Sequence, residues 1–227
     1  SATVWATTGG RPYNALFVSM GVMNHAPWGL KPMPRVPIVL ASSSRYRKVL
    51  LEKLKLPFIQ ATPGVDETRL SGESADALVT RLCALKARAV AEKFLGAVII
   101  GSDQVAEFEG AILTKPGTHE RAAAQLTELS GQSVRFFTGL SVLDTRDGSL
   151  QVECVEDQVK FRTLSAAEIH AYVTRDQPLD AAGSFKAEGL GIALFESLNS
   201  NDPNSLIGLP LIRLVALLKR QGINVLI

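Results

Sequence analysis

The chain has 227 residues, 46% of them hydrophobic and 20% charged, with a formal net charge of +2 at pH 7. That length supplies a sizeable core without staples, and so balanced a charge gives no support to binding of duplex nucleic acid. Two distant cysteines, three scattered histidines and no apolar run of about 18 residues exclude a disulfide scaffold, a zinc centre and a membrane helix.

Residues 1–32 carry no period long enough to specify an element and no signal-peptide pattern. They read as an N-terminal extension outside the core, with the domain over residues 33–227 and a functional start at Met33. Pro37 to Ala41 reads as a short buried strand. The run Ser42-Ser43-Ser44 then gives way to an apolar helical face at Val49, Leu50, Leu51 and Leu54. Serine ahead of such a face is an N-cap signal, and backbone amides at a strand-to-helix turn suit an anion. Arg45, Arg47 and Lys48 place three positive charges at the same helix start, against its dipole, an arrangement that a bound phosphate would relieve. No Walker-type glycine-lysine loop occurs.

Pro57 to Ala61 reads as a second strand, leading through Pro63-Gly64 to the adjacent carboxylates Asp66 and Glu67, which suit a hard cation if the loop reaches phosphates. From Ser74 an amphipathic helix runs to about Phe94, with Leu78, Leu82, Leu85 and Ala89 on its apolar face and Lys86 expected in solvent. Next comes Ala97-Val-Ile-Ile-Gly-Ser-Asp-Gln104. Four apolar residues indicate a strand buried on both faces. Gly101 permits a close approach, and Asp103 is expected at the carboxyl end of that strand, where open α/β sheets bind ligands. A rigid, partly desolvated carboxylate there suits a general base or a metal ligand.

Val105 to Leu113 is a hairpin broken at Glu109-Gly110, followed by Lys115 fixed beside Pro116. A helix follows from Thr118 to Leu129, then two antiparallel strands at Ser133–Asp144 and Leu150–Phe161 joined through Asp147-Gly148. Ser165 and Glu168 form a capping box opening a further helix. The loop Ala181 to Gly191 holds three glycines with Lys186 and Glu188 among them. Ile192 to Phe195 is expected as a strand, Asp202-Pro203-Asn204 as a turn, and Leu211 to Leu218 as the final helix. Both Cys83 and Cys154 read as reduced, buried thiols, which fits a cytoplasmic enzyme.

These landmarks in order, Leu40-Ala-Ser-Ser-Ser-Arg-Tyr-Arg-Lys48, Val65-Asp-Glu67, Lys86, Ile100-Gly-Ser-Asp-Gln104, Lys115-Pro116, Phe137-Thr-Gly139 and Gly183-Ser-Phe-Lys-Ala-Glu-Gly189, resemble the Maf family of nucleotide pyrophosphatases. The resemblance implies an α/β fold of the Maf and inosine-triphosphatase type, a mixed sheet in two lobes around a central cleft. It implies hydrolysis of a nucleoside triphosphate to the monophosphate and pyrophosphate with a divalent metal, Mg²⁺ or Mn²⁺. On the matching positions, Asp103 serves as base, Glu67 and Asp103 as metal ligands, and Lys86 and Lys115, with Ser42 and Arg47, on the phosphates. Tyr46, Gln104, Lys186 and Glu188 surround the remaining substrate. The partner expected is a small nucleotide, with no membrane and with room for a homodimer.

Within the family the Gly-Ser-Asp-Gln form, Tyr46 and Glu188 are similar to the subgroup that hydrolyses 7-methyl-GTP. The alternatives are the dTTP and UTP subgroup, or a non-catalytic nucleotide-binding regulator of cell division. Two departures stand out. The family commonly has proline where Arg45 stands and a second arginine where Lys48 stands; lysine keeps the charge but loses the bidentate fork.

Overall fold

A computed structural model describes residues 36–227, so the expected extension and the start at Met33 lie outside the described residues. The sheet has seven strands. In chain order they are β1 (Ile38–Ala41), β2 (Ile59–Ala61), β3 (Val98–Phe108), β4 (Ala111–Leu113), β5 (Ser133–Asp144), β6 (Leu150–Phe161) and β7 (Phe195–Asn199). Five helices accompany them: α1 (Arg45–Glu52), α2 (Ala75–Ala91), α3 (His119–Leu129), α4 (Ala166–Asp176) and α5 (Leu211–Arg220). The spatial order is β2-β1-β3-β5-β6-β7, with β4 also on β3. β2, β1 and β3 run parallel, joined by helical crossovers, while β3 to β7 pair antiparallel. The expected mixed α/β sheet is therefore present. Among the described residues no helix is long and apolar enough to cross a membrane.

Strand β3 organises the whole. Its even residues Val98 and Ile100 face a cluster with Leu50 and Leu51 of α1 and Leu214, Leu217 and Leu218 of α5. The odd residue Ile99 faces the α2 side with Ala87 and Val90. Full burial of each large side chain stabilises by about 1.5 to 3 kcal/mol, so both layers are firmly seated. A second apolar lobe gathers Leu126 and Leu129 of α3, Ile169 and Val173 of α4, and Phe136, Phe161 and Phe185. There the Phe185 ring meets Phe136 at 5.3 Å and Phe195 at 5.1 Å, edge to face. The capping box at Ser165 and Glu168 is formed, and Glu109 and Gly110 turn the β3–β4 hairpin with positive φ.

Four expectations need correction. Asp103 does not end its strand: β3 continues to Phe108, because β5 pairs it residue by residue from Val98 to Glu107. On its other edge β1 stops at Gly101 and β4 begins only at Ala106. The apolar run ended where β1 ended, not where β3 did. In α2 the inward face is Leu78, Val79, Leu82, Cys83, Lys86 and Ala87. Leu85 and Ala89 point outward, and Lys86 is only 4% exposed. Residues Leu190–Leu194 form a 3-10 turn, and the strand starts at Phe195, where pairing with β6 begins. Finally, Cys83 is buried, its thiol pushed up to about 12 by burial, but Cys154 is exposed on the face of β6 that also carries Glu156 and Gln158 outward.

Candidate active site

The gap beside β3 is where the site lies. Between Gly101 and Ala106 that strand has no neighbour on the β1 side, so both faces of the sheet open toward one space. The alternation of a strand then sends Asp103 to the α2 face and Ser102 and Gln104 to the opposite face.

On the α2 face, Lys86 Nζ donates to Asp103 Oδ1 at 2.6 Å and lies 2.6 Å from Glu67 Oε1. Asp103 is 7% exposed, while the Glu67 side chain is largely in solvent. The Glu67 loop is tied to α2 by Arg81, whose Nε and Nη2 donate to the two Glu73 oxygens at 2.6 and 2.8 Å and whose Nη2 also donates to Thr68 O at 3.0 Å. That fork holds the Glu73 carboxyl down at about 2. Close contact of α2 with the sheet relies on two residues without side chains. A Cβ on Gly101 would lie 2.1 Å from Cys83 O, and one on Gly139 would lie 2.2 Å from Val79 O.

On the opposite face, the turn after β1 carries Ser42 and opens α1. Ser44 caps that helix by accepting from Arg47 N at 3.4 Å, and Ser44 N donates to Ser42 Oγ at 3.1 Å. Arg47 turns inward: its Nε donates to Gly208 O at 2.9 Å and its Nη1 to Ser42 Oγ at 3.5 Å. Burial pulls its guanidinium below the usual range, opposed by the charges of Asp103 and Glu67. Ser102 Oγ also donates to Gly208 O, at 2.9 Å. Gln104 Nε2 donates to Ser205 O at 2.8 Å and to Thr138 Oγ1 at 2.9 Å. Its amide nitrogen is thus engaged by the fold, leaving the amide oxygen for a ligand. The segment 205–208 is fastened in turn by Ser205 Oγ, which donates to buried Asp157, a carboxyl raised by burial with one oxygen unpartnered. Asp202 completes the arrangement: it accepts from Asn204 N at 2.9 Å and from Ile212 N at 2.6 Å, supplying the cap that Pro210 cannot give α5.

All ten expected residues line one cleft of about 930 Å³: Ser42, Tyr46, Arg47, Glu67, Lys86, Asp103, Gln104, Lys115, Lys186 and Glu188. Lys48 does not line it, and pairs instead at 4.0 Å with Glu52 on the exposed side of α1. Lys186 is partly engaged, with Nζ donating to Gln177 O at 3.0 Å and lying 3.2 Å from Asp180. A lysine at the end of α4 complements the helix dipole, so its first effect is to fix the 181–188 loop. Sequence reasoning missed Ser102, the Arg81–Glu73 clamp and the 205–208 carbonyls. Backbone acceptors leave no residue-type signal, and the clamp joins positions eight apart across a loop.

Among the described residues no group of three or more His, Cys, Asp or Glu is placed to hold a metal ion. Asp103 and Glu67 nevertheless both close on one ammonium, that of Lys86. Two carboxylates focused on a cation fit Mg²⁺, which is commonly held by one or two carboxylates plus substrate phosphates rather than by an all-protein cage.

Residues 37–221 match the family model described as Maf-like protein. A 7-methyl-GTP pyrophosphatase of Burkholderia thailandensis is 52% identical over 193 residues, spanning 84% of this chain and 89% of that one. One of Pseudomonas aeruginosa is 52% identical, spanning 83% and 98%, and one of Pseudomonas putida 53% identical, spanning 84% and 99%. Among solved structures, the Ham1 protein of Staphylococcus aureus overlaps 56% of this chain and 72% of its own, at 16% identity and TM-score 0.39. With the family match running from the residue before β1 to the residue after α5, the chain belongs to the Maf family.

Proposed function

We propose that the chain is a nucleoside triphosphate pyrophosphatase that takes 7-methyl-GTP to the monophosphate and pyrophosphate, clearing an altered nucleotide from the pool. The observation that carries this reading is the buried Lys86–Asp103 pair at 2.6 Å, opening into a cleft that Arg47 and Lys115 also line. The substrate choice is supported by the name shared by relatives at about half identity over most of the chain.

Each group has a distinct task. Arg47, Lys115, Ser42 Oγ and the amides opening α1 bind the triphosphate, with charge-assisted bonds of the stronger class. Asp103 accepts a proton from the attacking water as its oxygen joins phosphorus and the bridge between the α and β phosphates breaks. Lys86 holds that carboxylate in one orientation. Glu67 and Asp103, with phosphate oxygens, would hold a divalent cation; when bound it neutralises charge on the phosphates and polarises them. Tyr46 and Glu188, which line the same cleft, take the role of recognising the base. An aromatic face favours a cationic, N7-methylated ring by about 0.5 to 2 kcal/mol over plain stacking, and a carboxylate can accept from guanine N1–H and N2–H₂.

The test is a triphosphate panel with Mg²⁺ and Mn²⁺: 7-methyl-GTP, GTP, dTTP and UTP, products resolved by chromatography and phosphate released by added pyrophosphatase. 7-methyl-GTP is expected to lead in kcat/KM, with monophosphate and pyrophosphate as products. A lead for dTTP or UTP would refute the base assignment, and absence of turnover on all four would leave a nucleotide-binding regulator.

A further inference from the structure

The residue ahead of Tyr46 is Arg45. Its Nη2 donates to Tyr46 Oη at 3.0 Å, and its guanidinium carbon stands 4.8 Å from the centre of the Tyr46 ring. Both side chains line the cleft, as do Asp180 and Glu188. Among the described residues Arg45 forms no ion pair within 4.0 Å; its side-chain hydrogen bond goes to Tyr46, while the carboxylates of Asp180 and Glu188 act on it from farther away. The ring proposed to receive a cationic base is therefore already in contact with a cation.

We propose that Arg45 is a specificity-determining residue of this chain, which narrows the preference for an N7-methylated guanine over plain guanine by placing a guanidinium against Tyr46. The inference rests on the base reading given above. Two arrangements are open to the bound base, and both give the same sign. If the base takes the ring face that Arg45 covers, the guanidinium moves aside but stays tethered one residue away. If the base takes the other face, the two cations flank one ring. In each case the methylated base, carrying positive charge, is repelled by Arg45, whereas neutral guanine, similar in shape, is not. Proline in its place would leave the ring free and add no charge.

With the guanidinium 4.8 Å from the ring centre and a base stacked about 3.5 Å beyond it, the two unit charges stand about 8 Å apart in a partly solvated cleft, where the effective dielectric is well above that of an interior site. That corresponds to about three- to tenfold in relative kcat/KM. The repulsion is also screened by salt, because the cleft is open to solvent.

The experiment compares kcat/KM for 7-methyl-GTP, GTP and UTP in the wild type, Arg45→Ala, Arg45→Lys, Tyr46→Ala and the double variant Arg45→Ala/Tyr46→Ala, at low and high ionic strength. Arg45→Ala is expected to widen the lead of 7-methyl-GTP over GTP by about three- to tenfold, chiefly through a rise in kcat/KM for 7-methyl-GTP. Arg45→Lys keeps the charge and is expected to keep the narrow lead. Added salt is expected to widen the lead in the wild type and not in Arg45→Ala. An unchanged ratio in Arg45→Ala, with a reduced ratio in Tyr46→Ala, would overturn the role of Arg45 while leaving the base reading intact. A ratio indifferent to Tyr46→Ala as well would remove the base reading and this inference together. A common loss on all three substrates in Arg45→Ala would place Arg45 on the phosphates and overturn the proposal.

Discussion

Gly101→Ala tests whether the depth of α2 on the sheet sets the catalytic geometry. A Cβ there would stand 2.1 Å from Cys83 O and 2.6 Å from Ser141 Oγ. Uncompressed carbon–oxygen contacts lie at about 3.3 Å or beyond, so helix and sheet must separate by about 1 Å. The slot is filled by the Ser141 hydroxyl, which donates to Cys83 O at 2.8 Å, and that buried bond goes with the shift. Overpacking costs about 1 to 3 kcal/mol and the lost bond about 1 more, for a total of about 2 to 4 kcal/mol. Cys83 lies one turn before Lys86 on the same face of α2. The same movement therefore draws Lys86 Nζ from 2.6 Å to beyond the hydrogen-bond limit of about 3.2 Å. A misplacement of about 1 Å can cost on the order of a hundredfold in rate. Urea unfolding and steady-state turnover on the triphosphate measure the two effects in one preparation. Gly139→Ala, whose Cβ would meet Val79 O at 2.2 Å, is the comparison. Its helix contact Val79 lies two turns from Lys86, but Gly139 itself pairs directly opposite Asp103, so it is expected to lose similar stability and turnover as well. A Gly101→Ala protein with wild-type turnover would refute the link, whatever its urea midpoint.

Asp103→Asn keeps shape and removes the proposed proton acceptor, so turnover is expected to fall by about 10² to 10⁴ with nucleotide affinity largely kept; near-normal turnover would take Asp103 out of that role. Arg47→Ala and Lys115→Ala are expected to lower kcat/KM on every triphosphate alike, and base-selective losses would contradict a phosphate role. Glu73→Gln loosens the loop carrying Glu67. The expected signature is a higher divalent-metal concentration for half-maximal activity with little change in nucleotide KM, and an unchanged metal dependence would sever Glu73 from the site. Acid titration of stability gives a separate check. The Arg81 fork depresses the Glu73 carboxyl to about 2 from an ordinary value of 4.5, so its contribution is complete above about pH 4.5 and lost as pH falls toward 2. Glu73→Gln should show a flatter acid limb in urea unfolding between those values, and an identical limb would refute the assignment.

Much of this was legible in the sequence because local pattern and tertiary demand agree. The Asp147–Gly148 turn, the Ser165–Glu168 box and the Glu109–Gly110 turn each say locally what the fold requires. The misreadings arose where a partner strand or helix decides. Asp103 read as a strand end because apolar composition tracks burial on both faces, and burial falls where β1 ends although β5 holds β3 onward. Lys86 read as exposed because a lysine on an amphipathic helix usually is; its carboxylate partner comes from a strand seventeen positions later. The grip of Gly208 O on Arg47 and Ser102 was invisible because any residue type can offer a carbonyl.

That grip governs when the enzyme is finished as well as how it is built. The Arg47–Gly208 bond joins positions 161 apart. Closing such a loop costs about 4 to 5 kcal/mol of chain entropy by the logarithmic rule, more than the roughly 1.5 to 3 kcal/mol of a hydrogen bond to a charged group. The bond therefore cannot recruit the 205–208 segment; it forms only once β5, β6 and α5 have docked. At about 5 to 20 residues per second on the ribosome, Arg47 waits roughly 8 to 30 s for its acceptor to be synthesised. Through that interval β1 and α1 exist without the carbonyl that fixes Arg47, so the phosphate role proposed for that side chain waits on the 205–208 segment.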